Sequence, residues 1–237
     1  MSGPPSHGLL TARELVSVGK DKILSAFDAS ERGKVHLLND PANEDAGLHS
    51  WVVHVPGYWE LSDEEFEEIW AAHPPRLGKY KGWDTPRWEQ SYSVDSATVK
   101  WLEPMEKVRQ CGELQERANR ALYTDAFNDA HLNWYDGAQG HHIEPHQDAW
   151  PDQVPGAPII SVSWGQTRNF RLTLDRKSKC VGPVKELTLA LQHGDLLVMG
   201  GACQKTHKHE VLKLKKSEVL EEVKANRRVN MTLWVFE

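Results

Sequence analysis

The sequence has few cysteines, no long hydrophobic run, and neither a basic nor an apolar segment at its start. No stretch approaches the roughly 18 uncharged apolar residues of a membrane-spanning helix. Residues 1–8 lack the segments of a signal peptide and are expected to form a flexible tip. Cys111, Cys180 and Cys203 lie far apart and form no CxxC pair, which argues against a disulfide framework and a structural zinc site. We therefore predict an intracellular protein of the cytoplasm or nucleus.

An excess of positive charge is also absent. The 237 residues include 28 basic and 34 acidic side chains, which gives a net charge of −6. Proteins that hold long stretches of duplex nucleic acid by its phosphates are usually basic. This chain is therefore expected to bind nucleic acid only through a local basic patch. Tryptophan, by contrast, is abundant with ten residues, and it serves both in cores and as a stacking surface for ligands.

The first half of the chain, residues 9–126, has mainly the patterns of helices. Two capping boxes, Thr11-x-x-Glu14 and Ser62-x-x-Glu65, each predict a helix start. Aromatic and basic residues are mixed over residues 76–103. The predicted elements are, in order, a helix after Thr11, a loop over residues 29–50, a strand over Trp51–Val55, a helix after Ser62 that ends before Pro74, and a helix over about residues 104–122.

Residues 127–237 have a different pattern. Short runs rich in Val, Leu, Ile, Trp and Thr alternate with Gly, Pro and Asp, which predicts an antiparallel sandwich or barrel. The charged segment near the end is expected to contain a surface helix over Ser217–Ala225. The prediction is an α+β protein, with helices first and a β-core second, in one compact unit. The predicted strands are His131–Tyr135, Ile159–Trp164, Phe170–Leu174, Leu187–Leu191, Leu196–Met199 and Val229–Phe236.

The motif with the clearest chemistry is His146-x-Asp148. On an extended chain, alternate side chains point to the same side, so this imidazole and this carboxylate could hold two adjacent positions of a metal. A second histidine from elsewhere would complete the triad of two histidines and one carboxylate that leaves three positions open on Fe(II). Taken alone, H-x-D occurs often by chance, so the interpretation depends on the residues that follow.

Two later segments strengthen the interpretation of His146-x-Asp148 as part of a metal site. His207-Lys208-His209 follows the apolar run Gly194–Gly201 and offers a second histidine. Near the end of the chain, Arg228-x-Asn230-x-Thr232 places an arginine, an amide and a hydroxyl on one strand face. An arginine that faces a β-core is costly unless an anion meets it, and its planar fork suits a carboxylate such as the distal end of 2-oxoglutarate.

In this order the motifs resemble those of the AlkB family of Fe(II)/2-oxoglutarate dioxygenases. The resemblance covers about residues 127–234. A weaker resemblance to the family's nucleotide-recognition lid is found in Pro86-Arg87 followed by Tyr92, which implies a substrate-recognition lid over about residues 76–103. The matching pieces are Phe127-Asn128, Asn133-Trp134-Tyr135, His146-Gln147-Asp148, Pro158–Gly165, Gly194–Gly201, His209 and Arg228-x-Asn230-x-Thr232.

The resemblance implies a double-stranded β-helix, or jelly roll, that uses Fe(II), 2-oxoglutarate and O2 for oxidative dealkylation of nucleic-acid bases, as in DNA repair. It further implies a monomer whose substrate is alkylated DNA or RNA. The implied metal ligands are His146, Asp148 and His209. The implied 2-oxoglutarate site consists of Asn133, Tyr135, Ser161, Arg228 and Asn230. The residues implied or proposed to contact the substrate are Arg87, Trp88, Tyr92 and Trp150.

Two positions depart from the family's pattern. Trp234 stands where the motif R-x-N-x-T-x-R usually ends in a second arginine, so Arg168 or Arg171 is a candidate to replace that charge. Ala149-Trp150-Pro151 replaces residues that are commonly acidic after H-x-D. Trp150 could stack on a flipped base or line a pocket for a different substrate.

Alternatives from other classes remain open. The same fold could hydroxylate a protein side chain or a small metabolite, and a catalytically silent binding module is a third hypothesis. His142-x-Glu144 resembles a zinc-deaminase motif, but no P-C-x-x-C follows it. A metalloprotease pair of His142 and His146 would need a helix, which Pro145 opposes. For the third ligand, His207 competes with His209.

Overall fold

The structure is a computed structural model that describes residues 8–40, 49–80, 82–94 and 102–237. Most of the predicted flexible tip lies outside these residues, as do part of the predicted loop over residues 29–50 and two parts of the segment 76–103. Within the described part of the chain, no helix has the length and apolar character needed to cross a membrane.

The helices are short, and most lie in the first half of the chain. Both predicted capping boxes are present, with Thr11 and Ser62 as the N-caps. The segment after Thr11 forms two helices rather than one, and Gly19 is the N-cap of the second helix. The predicted helix over residues 104–122 begins only at Arg109, after a 3-10 turn. The α-helices are α1 (Ala12–Leu15), α2 (Lys20–Ala26), α3 (Asp63–Ala71), α4 (Arg109–Leu122) and α5 (Cys203–Thr206).

The strands form two sheets and one short hairpin. All six strands predicted for the second half are present, each within a few residues of its expected bounds. The strands are β1 (Lys34–Leu37), β2 (Ser50–Val55), β3 (Lys79–Tyr80), β4 (Trp83–Asp84), β5 (Trp88–Ser93), β6 (Glu103–Pro104), β7 (Asp129–Asp136), β8 (Ile143–His146), β9 (Ile159–Gly165), β10 (Arg168–Leu174), β11 (Glu186–Leu191), β12 (Asp195–Gly201), β13 (His207–Val211) and β14 (Arg227–Trp234).

The two sheets face each other as in a jelly roll. The major sheet has the order β1-β2-β12-β9-β14-β7-β5-β6, and the minor sheet has the order β11-β10-β13-β8. One group of buried side chains joins the facing sheets, for example Tyr135 and Leu197 from the major sheet with Phe170 and Leu172 from the minor one. Another group lies between the other face of the major sheet and the helices. The predicted double-stranded β-helix is thus confirmed.

Two predictions of local structure were wrong. The segment expected to be a loop contains β1, which pairs in antiparallel register with β2. The surface helix expected over Ser217–Ala225 is absent, and two 3-10 turns over Lys216–Glu218 and Val223–Asn226 stand in its place. The buried side chain of Asn226 explains this, because its amide group exchanges hydrogen bonds with the backbone of Leu220 and holds the segment in a loop.

Candidate active site

Two histidines and an aspartate come together at the edge of the minor sheet. His146 ends β8 and lies directly opposite His209 of β13, with their ring centroids 4.2 Å apart. Asp148 follows two residues later, and its carboxylate lies 3.6 Å from Nε2 of His146 and 3.7 Å from Nε2 of His209. One ligand atom from each residue lies within 4.8 Å of the others, an arrangement that could hold a metal ion.

The surroundings of this cluster fit a divalent metal. Nδ1 of His146 donates to the carbonyl oxygen of Glu144, which leaves Nε2 free to coordinate. Burial lowers the pKa of His146 and of His209 to about 4, so both imidazoles are neutral at neutral pH. Burial also raises the pKa of Asp148, and among the described residues no lysine or arginine forms an ion pair with this carboxylate. A bound cation would balance its charge, so the residues present fit Fe(II).

His207, the competing histidine, is engaged elsewhere. Its Nδ1 is within 2.8 Å of the Thr206 hydroxyl, and its Nε2 donates to the carbonyl oxygen of Val184 at 2.8 Å. Neither nitrogen is left for a metal. The geometry therefore brings His209, and not His207, to His146 and Asp148.

A cavity of about 880 Å³ opens between the two sheets beside this cluster. Four of the five residues implied for 2-oxoglutarate line it directly: Asn133, Tyr135, Ser161 and Asn230. The amide nitrogen of Asn230 donates to the Ser161 hydroxyl at 2.7 Å, so these two polar groups orient each other. The wall is otherwise largely apolar, with contributions from Ile143, Phe170, Leu197, Met199, Val211 and Trp234.

Arg228 lies behind this lining. It is directly opposite Tyr135 in the pairing of β7 with β14, and only 1% of its surface is exposed. Its guanidinium donates to the Ser163 hydroxyl at 2.6 Å and to the carbonyl oxygen of Leu191 at 3.3 Å. Its Nε has no hydrogen-bond partner among the described residues. Burial lowers the pKa of Arg228 to about 10, so this arginine is still charged at neutral pH and fits an incoming carboxylate.

Trp234 faces the cavity, as its even offset from Arg228 predicts. Its ring stacks on His131 with a centroid distance of 5.3 Å and lies 6.1 Å from the ring of Trp150. An aromatic wall thus occupies the place where the motif usually carries a second arginine. His131 was not predicted as a cavity residue, although extending the alternation of Asn133 and Tyr135 backwards by two residues would have found it.

The exposed residues that line the cavity form its mouth. The tryptophans of the mouth are Trp83, at the β3–β4 hairpin, and Trp150, and they are 81% and 48% exposed. Arg87 also lines the cavity, where its Nε donates to the side-chain oxygen of Asn133 at 2.7 Å and its guanidinium pairs with Glu89. The arginine implied for the substrate is thus already held by two cavity residues.

Trp88 and Tyr92 do not reach the cavity. Arg87 and Glu89 line it, whereas Trp88 lies between them on β5 and points to the opposite face of the sheet. Its ring stacks on His73 at 4.4 Å, and Tyr92, on the same face, is buried in the hydrophobic core. Both were expected to contact the substrate, but the alternation of β5 turns their side chains away from the cavity.

Similarity to known proteins extends over most of the chain. A family model described as the 2OG-Fe(II) oxygenase superfamily matches residues 60–233. A solved structure described as "The structure of OsALKBH1" is similar over 78% of this chain and 96% of that chain, with 16% sequence identity and a TM-score of 0.49. A search of curated proteins gives no significant match. The family match confirms the predicted Fe(II)/2-oxoglutarate dioxygenase.

Proposed function

This chain belongs to the 2OG-Fe(II) oxygenase superfamily, and we propose that it removes alkyl groups from the nitrogens of nucleic-acid bases. Its cofactors are Fe(II), 2-oxoglutarate and O2. When bound, they would supply the oxidation of a C–H bond of the substrate, coupled to the conversion of 2-oxoglutarate and O2 to succinate and CO2. The proposal includes a monomeric, intracellular enzyme that acts in the repair of alkylated DNA or RNA.

Within the proposal, each part of the cavity has one task. His146, Asp148 and His209 hold Fe(II), supported by their mutual distances and by the neutral state of both imidazoles. Arg228 binds the distal carboxylate of 2-oxoglutarate, and the polar side chains that line the cavity orient the cosubstrate. The polar residues proposed for this are Asn133, Tyr135, Ser161 and Asn230.

The observation that best supports a base as substrate is a pair of exposed tryptophans. Trp83 and Trp150 line the same cavity as the metal cluster. Every base presents a flat face on which an exposed aromatic side chain can stack. A cavity of about 880 Å³ also has room for a base that is flipped out of its strand.

The charges at the mouth indicate how the rest of the nucleic acid would be held. Lys79 pairs with Asp84, and Arg87 pairs with Glu89, so both cations of the described lining have acidic partners. Such a mouth offers little attraction to a long run of phosphates. A short single strand, held mainly by stacking, is the form of substrate that this mouth suits best.

The same balanced charges favour a second candidate function. Hydroxylation of a protein side chain or of a small metabolite needs no phosphate contacts, and an apolar wall with exposed tryptophans would accept either substrate. The two candidates share the metal and cosubstrate residues and differ only in what enters through the mouth.

Turnover of 2-oxoglutarate with Fe(II) and O2, measured as succinate, separates the candidates. The panel consists of methylated single-stranded oligonucleotides, methylated duplexes, methylated nucleosides and peptides, with the unmethylated oligonucleotide as the matched control. We expect the methylated single strand to stimulate succinate formation and to release formaldehyde in equal amount. Stimulation by peptides or nucleosides alone, with no oligonucleotide binding at low salt, would overturn the nucleic-acid proposal and favour the second candidate.

A further inference from the structure

A second buried arginine lies close to Arg228. Arg168, in β10 of the minor sheet, is also 1% exposed, and its Cζ lies 5.8 Å from the centre of the Tyr135 ring. Burial lowers the pKa of both arginines, and the charge of Arg168 lowers that of Arg228 further. Two guanidinium groups thus approach the same tyrosine from opposite sheets.

The donors of Arg168 are only partly satisfied. Its Nη2 donates to the carbonyl oxygens of His141 and Leu212, the former at 2.8 Å. Its Nε and Nη1 are buried and have no hydrogen-bond partner among the described residues, and the same is true of Nε of Arg228. Within that part of the chain, neither arginine forms an ion pair with a carboxylate. Burying unpaired donors and an unpaired charge costs free energy, and a bound anion would offset this cost.

Arg168 lies on the cavity side of β10, behind the residues that line the cavity. Phe170, two residues further along β10, lines that cavity and stacks on the metal-site residue His209 at 5.5 Å. Because strand side chains alternate, Arg168 points to the same side as Phe170. Leu172 pairs with His209, so Arg168 lies four residues, or about 13 Å of strand, from the level of the metal cluster. A five-carbon dicarboxylate and an arginine side chain together can span that length.

We propose that Arg168 is a second residue that determines specificity for 2-oxoglutarate. Together with Arg228, it binds the distal carboxylate of this cosubstrate. Trp234 leaves the metal-proximal end of the cavity without the second arginine of the usual motif, and Arg168 supplies a second cation at the opposite, distal end. Arg171, the other candidate for the missing charge, pairs with Glu210 and Glu186. This inference rests on the cosubstrate site proposed above.

Two ligands of equal chain length test the role of Arg168. They are 2-oxoglutarate and 2-oxopentanoate, and in 2-oxopentanoate a methyl group replaces the distal carboxylate. Their dissociation constants are measured by calorimetry on the Fe(II)-loaded protein without O2, so no turnover intervenes. The variants are Arg168→Gln and Arg168→Lys, with Arg171→Gln on the opposite face of the same strand as the matched control. Arg228→Gln serves as the reference for the cosubstrate site itself.

We expect Arg168→Gln to weaken 2-oxoglutarate binding about tenfold or more and to leave 2-oxopentanoate nearly unchanged. Arg168→Lys should retain part of the preference, since it keeps the charge and loses the planar fork. Arg171→Gln should change neither constant. Equal weakening of both ligands in Arg168→Gln would assign Arg168 a structural role only, and no change in either would also overturn the proposal.

The failure of this inference is distinct from the failure of the proposed site. If Arg228→Gln loses the preference for 2-oxoglutarate and Arg168→Gln keeps it, only the role of Arg168 is wrong. If the wild-type protein does not distinguish the two ligands, the cosubstrate site is wrong as a whole. Should the Arg168 variants not fold, a crystal structure of the wild-type protein with 2-oxoglutarate decides: the proposal requires a carboxylate oxygen within hydrogen-bond distance of Nε or Nη1 of Arg168.

Discussion

The buried interior of the cavity and its mouth differ in how firmly their side chains are held. In the interior, the side chains of Asp148 and His209 are 9% and 7% exposed, and Arg228 is 1% exposed. At the mouth, Trp83 is 81% and Trp150 is 48% exposed. Buried groups with incomplete partners specify their ligand closely, whereas exposed aromatic faces accept many flat or apolar ligands. We therefore expect the interior to determine the reaction and the mouth to determine which substrate undergoes it.

The largest effect is expected from removing the carboxylate of the metal site. Asp148→Ala should abolish succinate formation, because two neutral imidazoles alone provide neither the charge nor the third ligand of the triad. Asp152→Ala, an exposed carboxylate nearby, is the matched control and should stay active. Substantial turnover in Asp148→Ala, measured with Fe(II) in excess, would show that the interior does not determine the reaction as described.

A large effect is also expected at the distal end of the interior. Arg228→Ala should raise the dissociation constant for 2-oxoglutarate about a hundredfold or more, since the distal carboxylate loses a buried charged partner. Arg228→Lys should recover only part of the affinity. The control is Arg227→Ala on the neighbouring residue, whose side chain pairs with Glu67 instead. Normal binding of 2-oxoglutarate by Arg228→Ala would contradict the assignment of this residue.

At the mouth the expected effects are smaller and concern a different ligand. Trp83→Ala and Trp150→Ala should each raise the KM for a methylated oligonucleotide about fivefold to a hundredfold, the scale of one lost stacking contact. Their affinity for 2-oxoglutarate should be unchanged. Tyr123 is an exposed aromatic residue outside the cavity, so Tyr123→Ala should change neither the KM for the oligonucleotide nor the affinity for 2-oxoglutarate. If the tryptophan variants lost cosubstrate affinity instead, the separation between mouth and interior would fail.

The smallest effect concerns stability and comes from His131 between the two regions. Burial, with a contribution from Arg87, lowers the pKa of His131 from 6.5 to about 3. The folded protein therefore keeps this imidazole neutral while the unfolded chain binds a proton below about pH 6.5. The stability present above that pH is lost as the pH falls towards 3, by about 1 to 2 kcal/mol at pH 5. Urea unfolding at pH 7 and pH 5 should show a smaller loss for His131→Asn than for the wild type, and equal losses would refute this.

The jelly roll and the interior were largely predictable from the sequence. Their strands are alternating apolar runs, and the proposed ligands occur in short motifs such as His146-x-Asp148, whose spacing fixes the side that they face. Arg168 was only one of two candidates, because its role depends on the pairing of β10 with β13, which brings distant residues together. At the mouth, the alternation of β5 turns Trp88 and Tyr92 away from the cavity, which a resemblance to a lid segment does not predict.

Direct metal titration tests most directly whether His146, Asp148 and His209 hold Fe(II). Metal-free protein is titrated with Fe(II) under anaerobic conditions in wild type, His209→Gln and His207→Gln, with bound iron counted per chain. We expect one tightly bound Fe(II) in the wild type and in His207→Gln, and affinity lost by orders of magnitude in His209→Gln. Retained affinity in His209→Gln together with loss in His207→Gln would contradict it.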